Sequence, residues 1–263
     1  DGLNWIKTCG LKVTGSATDP YHPTPNSWAQ KANFGINGIR DPIGFSIGNK
    51  GYIGGTIAIS GFPDVGVLWE YDPASNIWSQ KAGCLSSWLT KGFSIGNKGY
   101  VVDGNTFKEY DPATNIWTQK ANVNWDIRPY PVAFSIGSKG YYGTGGYPPS
   151  YNDFYEYDPA NDTWTQKANV GGGARTGAVG FSIDTNGYIG TGWTSSPGFI
   201  NYDFWEYDPV ANTWIQKTNF PGVGNPGRWQ AVGFSIGNKG YLGTGNMINP
   251  SCSLKDFWEY NPT

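Results

Sequence analysis

One phrase recurs five times in this chain. GFSIGNKGY runs from Gly44 to Tyr52, returns from Gly92 to Tyr100, and recurs with changes at Ala133–Tyr141, Gly180–Tyr188 and Gly233–Tyr241. A second phrase keeps step with it: EYDP begins at Glu70, Glu109, Glu156 and Glu206, with EYNP at Glu259, and a Trp-x-Gln-Lys unit starts at Trp28, Trp78, Trp117, Trp164 and Trp214. The phrases return every 39 to 53 residues. A unit of that length cannot bury its own apolar face, so successive units must stack as a solenoid or a propeller.

Each unit reads as four short antiparallel strands. Phe45-Ser46-Ile47 and Tyr52-Ile53 flank a Gly/Asn turn and predict a tight hairpin. A third run, Leu68–Tyr71, stops at Asp72-Pro73, where proline removes a ladder donor and aspartate closes a turn, and a fourth starts at Ile77-Trp78. No segment carries a sustained helical period. In the first strand Val179, Phe181 and Ile183 alternate with Ala178, Gly180 and Ser182, so one face carries bulk and the other admits a close neighbour, as an innermost strand between packed blades requires. The fourth strand reads as outermost, with Lys31, Lys81, Lys120, Lys167 and Lys217 expected on an exposed edge where lysine blocks edge-to-edge pairing.

The chain resembles the kelch-repeat β-propellers, of the secreted bacterial type with near-identical repeats. The resemblance rests on a tyrosine followed seven residues later by a tryptophan at Tyr71/Trp78, Tyr110/Trp117, Tyr157/Trp164 and Tyr207/Trp214, and it covers nearly everything from Tyr21 onward. Gly54-Gly55 and Gly145-Gly146 keep the kelch glycine doublet, Gly190-Thr191-Gly192 and Gly243-Thr244-Gly245 loosen it, and Val102-Asp103-Gly104 breaks it. The resemblance implies a propeller in an extracellular or cell-envelope setting.

The ends make sense as a ring. Tyr21–Trp28 (YHPTPNSW) aligns with Tyr71–Trp78 (YDPASNIW), whereas the C-terminus stops at Asn261-Pro262-Thr263, short of its own tryptophan. The expected fold is therefore an all-β, five-bladed kelch-like β-propeller, a single domain over residues 1–263. Residues 21–33 supply the closing strand of the last blade and residues 1–20 form an N-terminal extension. Six blades with one degenerate is the alternative, because the repeat does not place residues 1–20.

Composition bounds the function classes. The chain has 39 glycines, 16% aromatic and only 14% charged residues, and a net charge of -2 without any basic run, which argues against a nucleic-acid footprint or an electrostatic membrane anchor. No apolar stretch is long enough to span a membrane, and Asp1 opens the chain without a signal peptide, so any export signal is expected to have been removed already. Of three cysteines, Cys9 and Cys252 lie outside the repeat phrases and ring closure would bring them near each other, while Cys84 is left over; a Cys9–Cys252 bridge and three unpaired thiols both stay open.

The links between strands two and three and between strands four and one vary, and in a propeller both emerge on one rim, the default recognition surface. All four arginines of the chain, Arg40, Arg128, Arg175 and Arg228, stand five or six residues before a first-strand phenylalanine, with Ser87 at the matching place of the second unit. The kelch resemblance implies that arginines here point into the channel mouth toward acidic ligands, and a guanidinium cluster suits a carboxylate or sulfate. The alternative is that each ties a loop to neighbouring carbonyls or a carboxylate. Aromatics outside the repeat register fall in the same links: Trp88, Trp125, Tyr130 and Trp229 between strands four and one, Tyr147, Tyr151, Trp193 and Phe199 between strands two and three. Flat faces beside polar donors suit a sugar ring or a peptide side chain.

Catalytic signals are thin. All five glutamates belong to the EYDP or EYNP phrase, and the sole histidine, His22, replaces the aspartate of a turn, so a multi-histidine metal site is excluded and no cofactor is expected. Of the aspartates free of the repeat register, Asp1, Asp19, Asp41, Asp64, Asp103 and Asp126, a pair could move a proton, though turn positions explain them too. The expected function is a non-catalytic binding propeller that recognises a glycan or protein partner, anionic partners included, through its variable rim. An enzyme of the epimerase or lyase type acting on acidic sugars, or an assembly module without small ligand, is the alternative.

Overall fold

The computed structural model describes residues 31–36, 38–57, 64–83, 90–122, 128–195, 198–221, 227–248 and 251–262. They form a five-bladed β-propeller, with no helix among the described residues. The first blade consists of Arg40–Ile47, Lys50–Ile57, Val65–Asp72 and Ile77–Lys81, paired antiparallel in that order. The second is Thr90–Ile95, Lys98–Asp103, Thr106–Asp111 and Ile116–Gln119. The third is Val132–Ile136, Lys139–Gly143, Phe154–Asp158 and Thr163–Gln166. The fourth is Val179–Ile183, Asn186–Gly190, Phe204–Asp208 and Thr213–Lys217. In the fifth, Val232–Ile236, Lys239–Gly243 and Phe257–Tyr260 are described.

The alternation of bulk and glycine makes the seams between blades. Phe93, Phe134 and Phe181 are buried, and each ring covers a glycine of the next blade: a Cβ on Gly140 would stand 2.5 Å from Phe93 and one on Gly240 2.5 Å from Phe181. Tyrosine and tryptophan fill the outer part of the same seams. Trp164 meets Tyr157 at 5.1 Å and the preceding blade's Phe107 at 4.9 Å, and Trp214 meets Tyr207 at 4.9 Å and Phe154 at 5.1 Å. Each tryptophan also donates its indole N–H to the carbonyl of an alanine leaving the previous blade: Trp117 to Ala82, Trp164 to Ala121 and Trp214 to Ala168. The amide of that alanine donates to the turn residue five positions after the tyrosine, as Ala82 does to Asn115 at 3.0 Å.

The fourth-strand lysines are not free edge charges. Lys81, Lys120, Lys167 and Lys217 lean back onto Glu70, Glu109, Glu156 and Glu206, and they are only 18–28% exposed. Each of these glutamates also accepts from a second-strand tyrosine hydroxyl, as Glu156 does from Tyr141 at 2.6 Å. The EYDP glutamate is thus a structural acceptor that ties strands two, three and four of one blade. Burial of Glu70 works to raise its pKa, but hydrogen bonds from Tyr52, Lys50 and Lys81 outweigh it and hold the carboxyl below its ordinary value.

Between the last and first blades the seam is open among the described residues. Phe234 is 39% exposed where Phe181 is 4%, Val232, Ile236 and Phe257 are also exposed, and a Cβ on Gly51 of the first blade would meet nothing within 4 Å. An apolar groove of about 300 Å³ also runs beside Phe257–Tyr260, bounded by Phe204, Phe220, Trp258 and Tyr260. Phe204 and Tyr260 lie 4.8 Å apart there, the same kind of pair that encloses a tryptophan in the two preceding seams. Residues 31 and 32 enter the first blade from outside: Trp78 donates to the Ala32 carbonyl and the Ala32 amide donates to Asn76, repeating the geometry of Ala82, Ala121 and Ala168 at the exits of the first three blades. The expected closing strand, residues 21–33, lies outside the described residues up to position 30, as does the 1–20 extension.

Candidate functional site

The rim is built on three identical clamps. Arg128, Arg175 and Arg228 are buried, and each meets an aspartate two-pronged: Arg175 reaches Asp203 at 2.8 and 2.7 Å, Arg228 reaches Asp256 at 2.8 and 2.6 Å, and Arg128 pairs with Asp153. A third hydrogen bond runs from each guanidinium to the carbonyl of Thr144, Thr191 or Thr244. Those threonines hold φ near +60°, a left-handed conformation that β-branched residues avoid. The arginine therefore secures a strained turn at the end of strand two to the start of strand three, closing the base of the variable link. Tyr151 and Phe220 stack on Arg128 and Arg228 at 4.2 and 4.4 Å. With these hydrogen bonds made, the three guanidinium groups are held in the blade ends and do not converge on the channel mouth. Asp256 lies below its ordinary pKa because Arg228 hydrogen-bonds its charged form, against the opposing effect of burial.

Arg40 is the exception. It is exposed, and Val67 stands where the other three blades place the aspartate. The second blade has neither partner, with Thr106 at the aspartate position and Ser87 outside the described residues.

The five innermost strands surround a central channel, a cavity of about 240 Å³ lined by Gly44, Gly92, Ala133, Gly180 and Gly233 among others. Its mouth on the rim side is a cavity of about 380 Å³ bounded by Asp41, Lys91, Tyr130, Gly177 and Gln230. Asp41, Tyr130 and Gln230 take φ of 48°, 54° and 55°, at the register where Gly177 has 63°. Backbone of that kind is costly for residues with a Cβ. It turns an acid, a phenol and an amide toward one opening.

Of the aromatics expected on the rim, Tyr130 and Trp229 meet edge to face at 6.2 Å beside this mouth. Tyr147 and Trp193 form a second pair at 5.3 Å on the links between strands two and three, with Tyr147 67% exposed. The Trp193 link is itself a small hairpin, Trp193–Thr194 against Phe199–Ile200. Trp88 and Trp125 lie outside the described residues, as do Cys9 and Cys84. Cys252 sits in a rim hairpin opposite Met247. No group of three or more His, Cys, Asp or Glu side chains placed to hold a metal occurs among the described residues, and among these residues no helix is long and apolar enough to cross a membrane.

Two residues at the mouth, Lys91 and Gln230, were not singled out by sequence reasoning. Lys91 had a signal: it occupies the register held by Ile43, Val132, Val179 and Val232 in the other four blades.

No family model matches the chain, and no curated protein does. Among solved structures, that of YjhT is similar, with a TM-score of 0.73 at 14% identity, covering 89% of this chain and 85% of that one. At that identity the likeness is one of fold, and it agrees with the five-bladed propeller drawn from the strands themselves.

Proposed function

We propose that this protein is a recognition propeller of the kelch type that binds a carbohydrate, free or carried by a partner, at the mouth of its central channel. The observation that carries this reading is the set of three non-glycine residues, Asp41, Tyr130 and Gln230, held at positive φ around one polar opening. Strain of this kind persists where side-chain direction matters more than backbone ease. The Tyr130/Trp229 pair adds an aromatic edge beside acceptor and donor groups, the combination that lets a sugar place its apolar face on a ring and its hydroxyls on an amide and a carboxylate. Tyr147 and Trp193 extend the apolar surface outward along the rim, which suits a chain of sugars better than a single residue. The buried arginines support this surface from below. In keeping with the kelch resemblance, the proposed setting is extracellular or in the cell envelope.

A glycan array followed by calorimetry on the hits tests the reading, with a turnover assay on uronic and sialic acids run in parallel. The expected result is binding without turnover, weakened about tenfold or more by Tyr130→Ala or Trp229→Ala, as loss of a stacking face implies, at an unchanged melting temperature. Binding that survives both substitutions overturns the location, and turnover overturns the non-catalytic role.

A further inference from the structure

We infer that Lys91 forms an anion subsite inside the channel mouth, so that the ligand carries a carboxylate or a comparable small oxyanion. This deepens the proposed carbohydrate reading by naming an acidic sugar as the class, and it stands on a separate set of observations.

The first is position. In the first strand of four blades this register holds Ile43, Val132, Val179 or Val232, and where a neighbouring blade is packed beside it the side chain is buried in the seam. The second blade alone places an amine there. Lys91 lines both the channel and its mouth, where it is exposed to the lumen. The channel walls around it hold the ammonium below its usual pKa by desolvation.

The second observation is the missing counter-charge. Every other lysine of the blade strands has a carboxylate within 4.0 Å among the described residues, including Lys50, Lys98, Lys108 and Lys139. Among the described residues Lys91 has none: Asp41 shares its cavity, yet no ion pair joins the two. An ammonium that lines the cavity with no carboxylate beside it is free to make a charge-assisted hydrogen bond to a bound anion. The opening adds neutral donors on the same wall, the Tyr130 hydroxyl and the Gln230 amide, which give a carboxylate further hydrogen bonds without adding charge. Asp41 supplies the acceptor for sugar hydroxyls and, by like-charge repulsion, turns a carboxylate toward Lys91.

The substitution that tests this is Lys91→Val, because valine is what three other blades carry at the same register and the seam accepts it. Sodium acetate is titrated against sodium chloride at constant ionic strength into isotopically labelled protein, following the backbone amides of Gly92, Ala178 and Val232. Wild type is expected to show a saturable shift that weakens by about tenfold or more in Lys91→Val, as the loss of a charge-assisted hydrogen bond implies. A second titration compares glucuronate with glucose; wild type is expected to prefer glucuronate and the variant to lose that preference. No saturable acetate shift in wild type, or equal acetate affinity in Lys91→Val, overturns the subsite. Acetate binding that depends on Lys91 without binding of any sugar leaves the subsite standing and defeats the carbohydrate reading. Sugar binding that ignores Lys91 does the reverse.

Discussion

Arg175 and Asp203 meet through two hydrogen bonds of 2.8 and 2.7 Å, with the guanidinium buried and a third bond spent on the carbonyl of a left-handed threonine. Removing one partner of such a pair leaves the other charge with nothing to offset its desolvation. Arg175→Ala is therefore expected to cost about 3 kcal/mol of stability, and Arg40→Ala, at an exposed arginine without the matching aspartate, far less. Denaturant midpoints of the two variants check this. Equal losses would mean that the clamp is not what Arg175 contributes.

The repeated tryptophans separate scaffold from rim in the same way. Trp117 packs at 4.9 Å on Tyr110 and donates to Ala82, so Trp117→Ala is expected to lose about 3 to 5 kcal/mol, whereas Trp229→Ala is expected to lose much less. Urea titrations of both variants provide the comparison.

Closure of the ring has a matching test. The groove between Phe204 and Tyr260 has the walls that hold Trp164 and Trp214 elsewhere, and Ala32 already stands where a blade's exit alanine stands. We propose that Trp28 fills this groove, with the strand around it completing the last blade. Trp28→Ala and a chain starting at Gly35 are then both expected to melt well below wild type, the truncation losing in addition the Ala32 bonds to Asn76 and Trp78. An unchanged melting temperature in both counts against closure by this segment.

Acid should weaken the protein in a defined window. Asp256 and Glu70 lie below their ordinary values in the folded chain, the first through Arg228, the second because Tyr52, Lys50 and Lys81 together overcome burial. A folded pKa below the unfolded one means that the unfolded chain binds more protons in acid. The stabilisation is complete above the unfolded values of about 4 and is lost as pH falls through the lower folded ones. Chemical denaturation from mildly acidic pH downward is expected to show stability falling, with a shallower fall in Asp256→Asn. Rising stability on acidification would contradict the assignment.

Periodicity made the blades legible because a repeated strand must repeat its large/small alternation to pack on its neighbour: Phe181 over Gly240 is visible as two letters at two fixed registers. Charge pairing was less legible, since Arg175 and Asp203 are 28 residues apart and nothing in either phrase points to the other. A trace of it was present. Aspartate stands three residues before Glu156, Glu206 and Glu259, each in a unit with an arginine, while the unit of Ser87 has Thr106 there. Arg40 breaks the correspondence, as its unit carries Val67, and so the four arginines looked alike. The fourth-strand lysines misled for a related reason: an outer strand suggests solvent, but a flexible stem lets Lys167 reach back to Glu156. Lys91 stands just before the phrase that starts at Gly92, and its departure from Ile43 and Val179 at that register has no partner in the sequence to give it meaning.

The arginine clamp has an evolutionary reach beyond stability. In blades three, four and five the amides of Thr144, Thr191 and Thr244 donate to the carbonyls of Asp153, Asp203 and Asp256 at 3.1 Å, so the loop's two ends meet in one geometry whatever lies between them. The first pair stands 9 positions apart in the chain and the other two 12. The rim thus works as a row of standard sockets: a segment can be exchanged, lengthened or borrowed from a sister blade while the sheet beneath keeps its register, and new specificity can be tried one loop at a time.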